Sequence, residues 1–97
     1  MPRLSGEVDA HQAELRVFKA RLRDAVIDAQ DAANCRARWE ALRRGQRAYE
    51  GAMAAAYSAM SADPLSQNLD TEVGSWRPSM ALRRMRAEFG QRCLRTW

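Results

Sequence analysis

Between Glu7 and Ser61 the chain runs for fifty-five residues without a proline, and nearly all of them are good helix formers. The β-branched residues, which lose side-chain freedom in a helix, are confined there to Val8, Val17, Val26 and Ile27. Residues 7–61 are therefore predicted to be helical. Residues 1–6 form a lead-in, with Ser5 as N-cap and Glu7 and Asp9 in the first turn, where the helix dipole favours acids. An unbroken helix of this length would reach about 80 Å, too far for the thirty-six residues after it to cover. Such a chain either finds a partner or bends into an αα-hairpin that buries its own apolar seam.

The seam comes in two registers. Leu15, Phe18, Leu22, Ala25, Ala29 and Ala32 recur at intervals of three and four, and Trp39, Leu42, Gln46, Tyr49, Met53, Ala56 and Met60 resume that spacing. Between them the steps Arg36 to Trp39 to Leu42 are three plus three, a change of phase. Arg43 and Arg44 followed by Gly45 would suit a helix C-terminus, so Gly45 is the predicted place for a bend. No Ser, Thr, Asp or Asn stands ready to cap a helix restarting at Gln46, which tilts the reading towards continuity. Gly51, beside Ala52 and the run Ala54 to Ala56, is read as a point of close helix approach.

Asp63-Pro64 ends the region, because proline lacks the helix donor and restricts the residue before it. Residues 64–77, rich in turn formers, are predicted to be an ordered crossover, with Asp63 capping its first turn. Residues 78–97 are predicted to form a last helix with Leu82, Met85, Phe89, Cys93 and Trp97 on one face. The expected fold is all-α and a single small domain, 1–97: a long N-terminal helix or bent hairpin, the crossover, and a C-terminal helix. Much of the 46% apolar content is alanine, and only seven aromatic residues carry large buried area, so the core is thin and assembly with a partner is expected.

An enzyme is not expected. His11 is the only histidine, read as solvent-facing, with no nucleophile or glycine-rich anion cradle to complete a site. Asp24, Asp28 and Asp31 share helical spacing but lack the Glu-x-x-His partner of a di-metal bundle, so they are read as a solvated stripe or a pairing surface for arginines. No metal or other cofactor is expected. Cys35 and Cys93, fifty-eight positions apart and outside any CxxC, are read as reduced core thiols, with a disulfide between the long region and the last helix as the alternative. With no apolar leader and no apolar run of transmembrane length, the expected location is intracellular; peripheral attachment to a membrane complex is compatible with the chain.

Function has to be sought in charge and aromatics. Fifteen of the sixteen basic residues are arginine, within a formal charge of +4. Residues 32–50 hold five arginines against two glutamates, residues 51–76 hold three acids and no base, and residues 77–97 hold six arginines against one glutamate. Tryptophans bury large areas and arginines select carboxylates, a pairing typical of protein interfaces. Arg36, Trp39, Arg43, Arg44, Trp76, Arg83, Phe89 and Trp97 are therefore the predicted protein-binding residues of a non-catalytic structural or accessory subunit. The expected partners are protein subunits, in a hetero-assembly or a homo-oligomer. The alternative is a nucleic-acid-associated protein contacting phosphates through Arg36, Arg38, Arg43, Arg44, Arg47, Arg83 and Arg86, although no helix-turn-helix, zinc finger or RNA-recognition motif is present.

Overall fold

A computed structural model describes the backbone of residues 2–63 and 65–94 and, from residue 10 onward, their side chains. The chain is all-α: α1 (Pro2–Asp31), α2 (Cys35–Ala62), α3 (Leu69–Ser75) and α4 (Arg77–Arg92). α1 and α2 form an antiparallel hairpin. α3 and α4 turn back along α2, so that α4 runs opposite to α2 and ends beside its start, where Cys35 and Cys93 form a disulfide with Cα atoms 5.6 Å apart. The bundle is a rod of 56 × 18 × 17 Å.

The long helical region does break, at residues 32–34 and not at Gly45. Asn34 supplies the cap that was missing before Gln46: its backbone is extended and its Oδ1 accepts the N–H of Ala37 at 2.8 Å. Arg38 reaches back to give its Nε–H at 3.2 Å to the Ala29 carbonyl, which also accepts the Ala32 N–H at 3.4 Å in the last turn of α1. The phase change over Arg36, Trp39 and Leu42 reflects the fresh start of α2 just upstream. Gly45 lies in mid-helix and is buried; a Cβ there would stand 2.9 Å from Leu82 Cδ1 and 3.5 Å from Ala25 Cβ, so its small size lets α1, α2 and α4 meet at one level. Gly51 does the same for the Phe18 ring, which a Cβ would overlap. The start of α1 at Pro2 places Ser5 inside the helix and removes its predicted role as N-cap.

The core runs through Leu15, Leu22 and Val26 of α1, the alanine face of α2, Val73 of α3, and Leu82, Met85 and Phe89 of α4, joined by Cys93. The predicted apolar face of the last helix is thus buried from Leu82 to Cys93; Trp97 lies outside the described residues. The crossover is more helical than expected, since α3 occupies half of it. Asn68, in the left-handed region at φ 67°, turns the chain into α3, and an extended Trp76 at φ −55°, ψ 142° breaks α3 from α4. Ser79 Oγ donates to the Val73 carbonyl at 2.6 Å and the Arg83 guanidinium to the Gly74 carbonyl at 2.9 Å, closing that break. The cysteines, read as reduced thiols, are disulfide-bonded because antiparallel packing brings the first turn of α2 beside the end of α4.

Candidate protein-docking groove

Where α2 and α4 diverge at the surface, a groove of about 300 Å³ opens, lined by Trp39, Leu42, Arg43 and Gln46 from one helix and Arg86, Phe89, Gly90 and Leu94 from the other segment. Helical spacing explains the set. Trp39, Arg43 and Gln46 recur at four and three along α2, and Arg86, Gly90 and Leu94 at four and four along α4 and its end. Leu42 and Phe89 are buried and form an apolar floor. Gly90 has no side chain to fill the space above them. Trp39 and Leu94, 38% and 63% exposed, form the two apolar walls.

The rim is cationic and ordered. The Arg43 guanidinium lies over the Trp39 ring, 4.7 Å from its centroid, so the cation stiffens the wall that it decorates. Arg86 crosses from the other side and donates to Gln46 Oε1 at 2.6 Å, while Gln46 Nε2 donates to Glu50 at 3.2 Å. That chain fixes the Arg86 direction using one of its five donors, leaving the fork able to receive a carboxylate.

Of the predicted protein-binding residues, Trp39, Arg43 and Phe89 come together here. Arg36 is exposed about two turns before Arg43 on α2, and Arg83 about one turn before Arg86 on α4. Arg44 falls on the α1-facing flank of α2, 3.1 Å from Asp28 of α1, which bears out the acidic trio as a pairing surface at that residue. Trp76 is 9% exposed and belongs to the intramolecular core, with Lys19 Nζ 5.3 Å from its ring centroid; the partner-facing role expected of it does not fit this burial. Leu94 and Gly90 went unselected because they lie beside the Leu82–Cys93 face, although the four-residue spacing from Arg86 marks a second stripe.

The arginines expected to meet phosphates are dispersed. Arg43 and Arg86 line the α2–α4 groove, Arg44 and Arg47 border a hollow between α1 and α2 with Asp24 and Asp28, and Arg38 points into the gap between α1 and α4 beside Arg84 and Arg92. His11, read as solvent-facing, is half-buried, its Nδ1 3.9 Å from a Glu14 carboxylate oxygen. Among the described residues no cluster of three His, Cys, Asp or Glu side chains could hold a metal ion, and no helix is long and apolar enough to cross a membrane. Comparison with protein-family models, curated proteins and solved structures gives no match, so the groove is interpreted through its own chemistry.

Proposed function

We propose that this chain is a non-catalytic helical adaptor that binds an acidic, apolar-anchored protein segment in the groove between α2 and α4. The observation that carries this reading is the convergence of a partly exposed tryptophan, a buried apolar floor and two oriented arginines on one concave surface. An apolar anchor seated against Trp39, Leu42 and Phe89 would contribute roughly 1.5–3 kcal/mol before ordering costs, whereas each exposed ion pair to Arg43 or Arg86 adds about 0–1 kcal/mol. Affinity then comes chiefly from the floor and walls, and orientation and encounter rate from the rim.

The dispersal of the arginines over three faces favours a protein partner over a phosphate backbone. Arg38, Arg44 and Arg83 are each turned to an internal acceptor, which reduces the set that one nucleic-acid strand could meet together. The disulfide supports a working place where thiols remain oxidised, outside the cell or in an oxidising compartment within it.

The test is isolation of the native complex with and without nuclease, using wild type and Arg43→Glu/Arg86→Glu. Retention of protein partners after nuclease, and their loss from the double variant with helicity unchanged by circular dichroism, is the expected outcome. Dissolution of the complex by nuclease, or partners held equally by both proteins, would contradict the reading.

A further inference from the structure

Past the end of α2, away from the disulfide, the chain exposes an apolar knob beside the carboxylate of Asp63. Leu65 is 92% exposed, more than any other large apolar side chain among the described residues. A lone exposed leucine is common on protein surfaces, but the backbone of this one is hydrogen-bonded to the Asp63 side chain. The Asp63 carbonyl accepts the N–H of Ser66 at 3.0 Å, Asp63 Oδ1 accepts the N–H of Leu65 at 3.0 Å, and Asp63 Oδ2 accepts the Ser66 hydroxyl at 2.9 Å. Holding the Leu65 backbone N–H in advance lowers the entropy lost when Leu65 docks. Asp63, Asp70 and Glu72 surround it in sequence, and no basic residue occurs from Gly51 to Trp76.

This knob has the chemistry that the α2–α4 groove would select: an apolar anchor with a carboxylate, that of Asp63, held beside it. It is out of reach of the groove in its own chain. Gln46, at one end of the groove, and Asp63, at the end of α2, are seventeen residues apart on one continuous helix, a separation of about 25 Å.

We propose that Leu65 of one copy, with its hydrogen-bonded neighbour Asp63, seats in the α2–α4 groove of a second copy, the Asp63 carboxylate facing Arg43 and Arg86, so that the chain assembles head to tail. The proposal rests on the reading of the groove as a protein-docking site and names its occupant as the chain itself. The contact is heterologous: every copy carries one knob and one groove, so the series either closes into a ring or runs on as a filament. Added salt, which screens opposed charges over about 8 Å at physiological ionic strength, is expected to weaken the association without abolishing its apolar part.

The test is sedimentation velocity of the purified oxidised chain over a concentration series, with a knob variant, Leu65→Arg, and a groove variant, Arg43→Glu/Arg86→Glu. All three substituted positions are exposed, and circular dichroism checks that each variant is folded. Wild type is expected to grow beyond dimer with concentration. Each variant alone is expected to associate at least about tenfold more weakly. An equimolar mixture, in which one protein supplies the intact groove and the other the intact knob, is expected to form 1:1 dimers and stop there. Wild type that stays monomeric to millimolar concentration, Leu65→Arg that assembles like wild type, or a mixture that stays monomeric would each overturn head-to-tail assembly. If wild type is monomeric while the groove variant still loses its protein partners in the nuclease-treated complex, only the occupant is mistaken; if the groove variant keeps them, the docking site itself is refuted.

Discussion

Gly45 and Leu82 form the close junction at which the three long helices meet, and their sizes are matched. Leu82 is 2% exposed, with its Cδ1 lying where a side chain at position 45 would begin. Gly45→Val should overpack the junction and cost about 1–3 kcal/mol, and Leu82→Ala should leave a cavity and cost about 2–5 kcal/mol. Because the two changes act on the same space, the double variant should lose less than their sum. Urea denaturation of the four proteins checks this; strict additivity would show that the contact is not the one described. The same scale explains why the site was only partly legible. Arg43 and Arg44 look like one basic patch in the sequence, yet adjacent residues lie about 100° apart around a helix, and one joins the Trp39 groove while the other joins Asp28. Trp39 and Trp76 were equal candidates by type, and only the packing of α1, α2 and α4 leaves the first at the surface and takes the second into the core.

The elements were legible where a pattern had many members. The Leu82-to-Cys93 face rests on repeated three- and four-residue spacing and is buried, whereas the α2 seam is displaced by part of a turn. The buried stripe runs through Ala41, Ala48, Ala52, Ala55 and Ala59, and of the predicted seam only Leu42 and Ala56 are buried, because the small alanines let α1 and α4 pack closest there. The hairpin break rests on one residue. Asn34 is a good cap, but Asp31, Ala32 and Ala33 before it carry no Gly or Pro, so local propensity concealed a turn that the closing of α2 onto α1 enforces. The Cys35–Cys93 pairing was likewise inaccessible from spacing, since it depends on α4 running antiparallel to α2. That bond spans 58 positions and pins the end of α4 to the first turn of α2. Loop-closure entropy for a crosslink of this span gives about 4 kcal/mol, within the usual range of about 2–4 kcal/mol for removing such a bond. Reduction by a dithiol should therefore lower Tm by roughly 10–30 °C for a domain of this size. Equal Tm values for the oxidised and reduced protein would mean that the crosslink contributes nothing to the fold.

For the whole molecule, the sequence blocks of charge become geography. The basic stretches from Arg36 to Arg47 and from Arg83 to Arg92 share the disulfide-linked half of the 56 Å rod, and the base-free stretch lies towards the other end. A thin, alanine-rich core closes as three packed helices without needing a partner to cover the predicted 80 Å helix, so the case for assembly now stands on the groove and not on an uncovered seam. The central claim is that this groove meets protein. The most direct measurement places a photo-crosslinking amino acid at Leu94, on the groove wall, and in a separate protein at Ile27, an exposed position on α1, which takes no part in the groove. Irradiation in the native setting after nuclease treatment should give a discrete protein adduct from position 94 that Arg43→Glu/Arg86→Glu removes, and none of that mass from position 27. The same adduct from both positions, or one from position 94 that survives the double charge reversal, would contradict the assignment of the groove as the docking site.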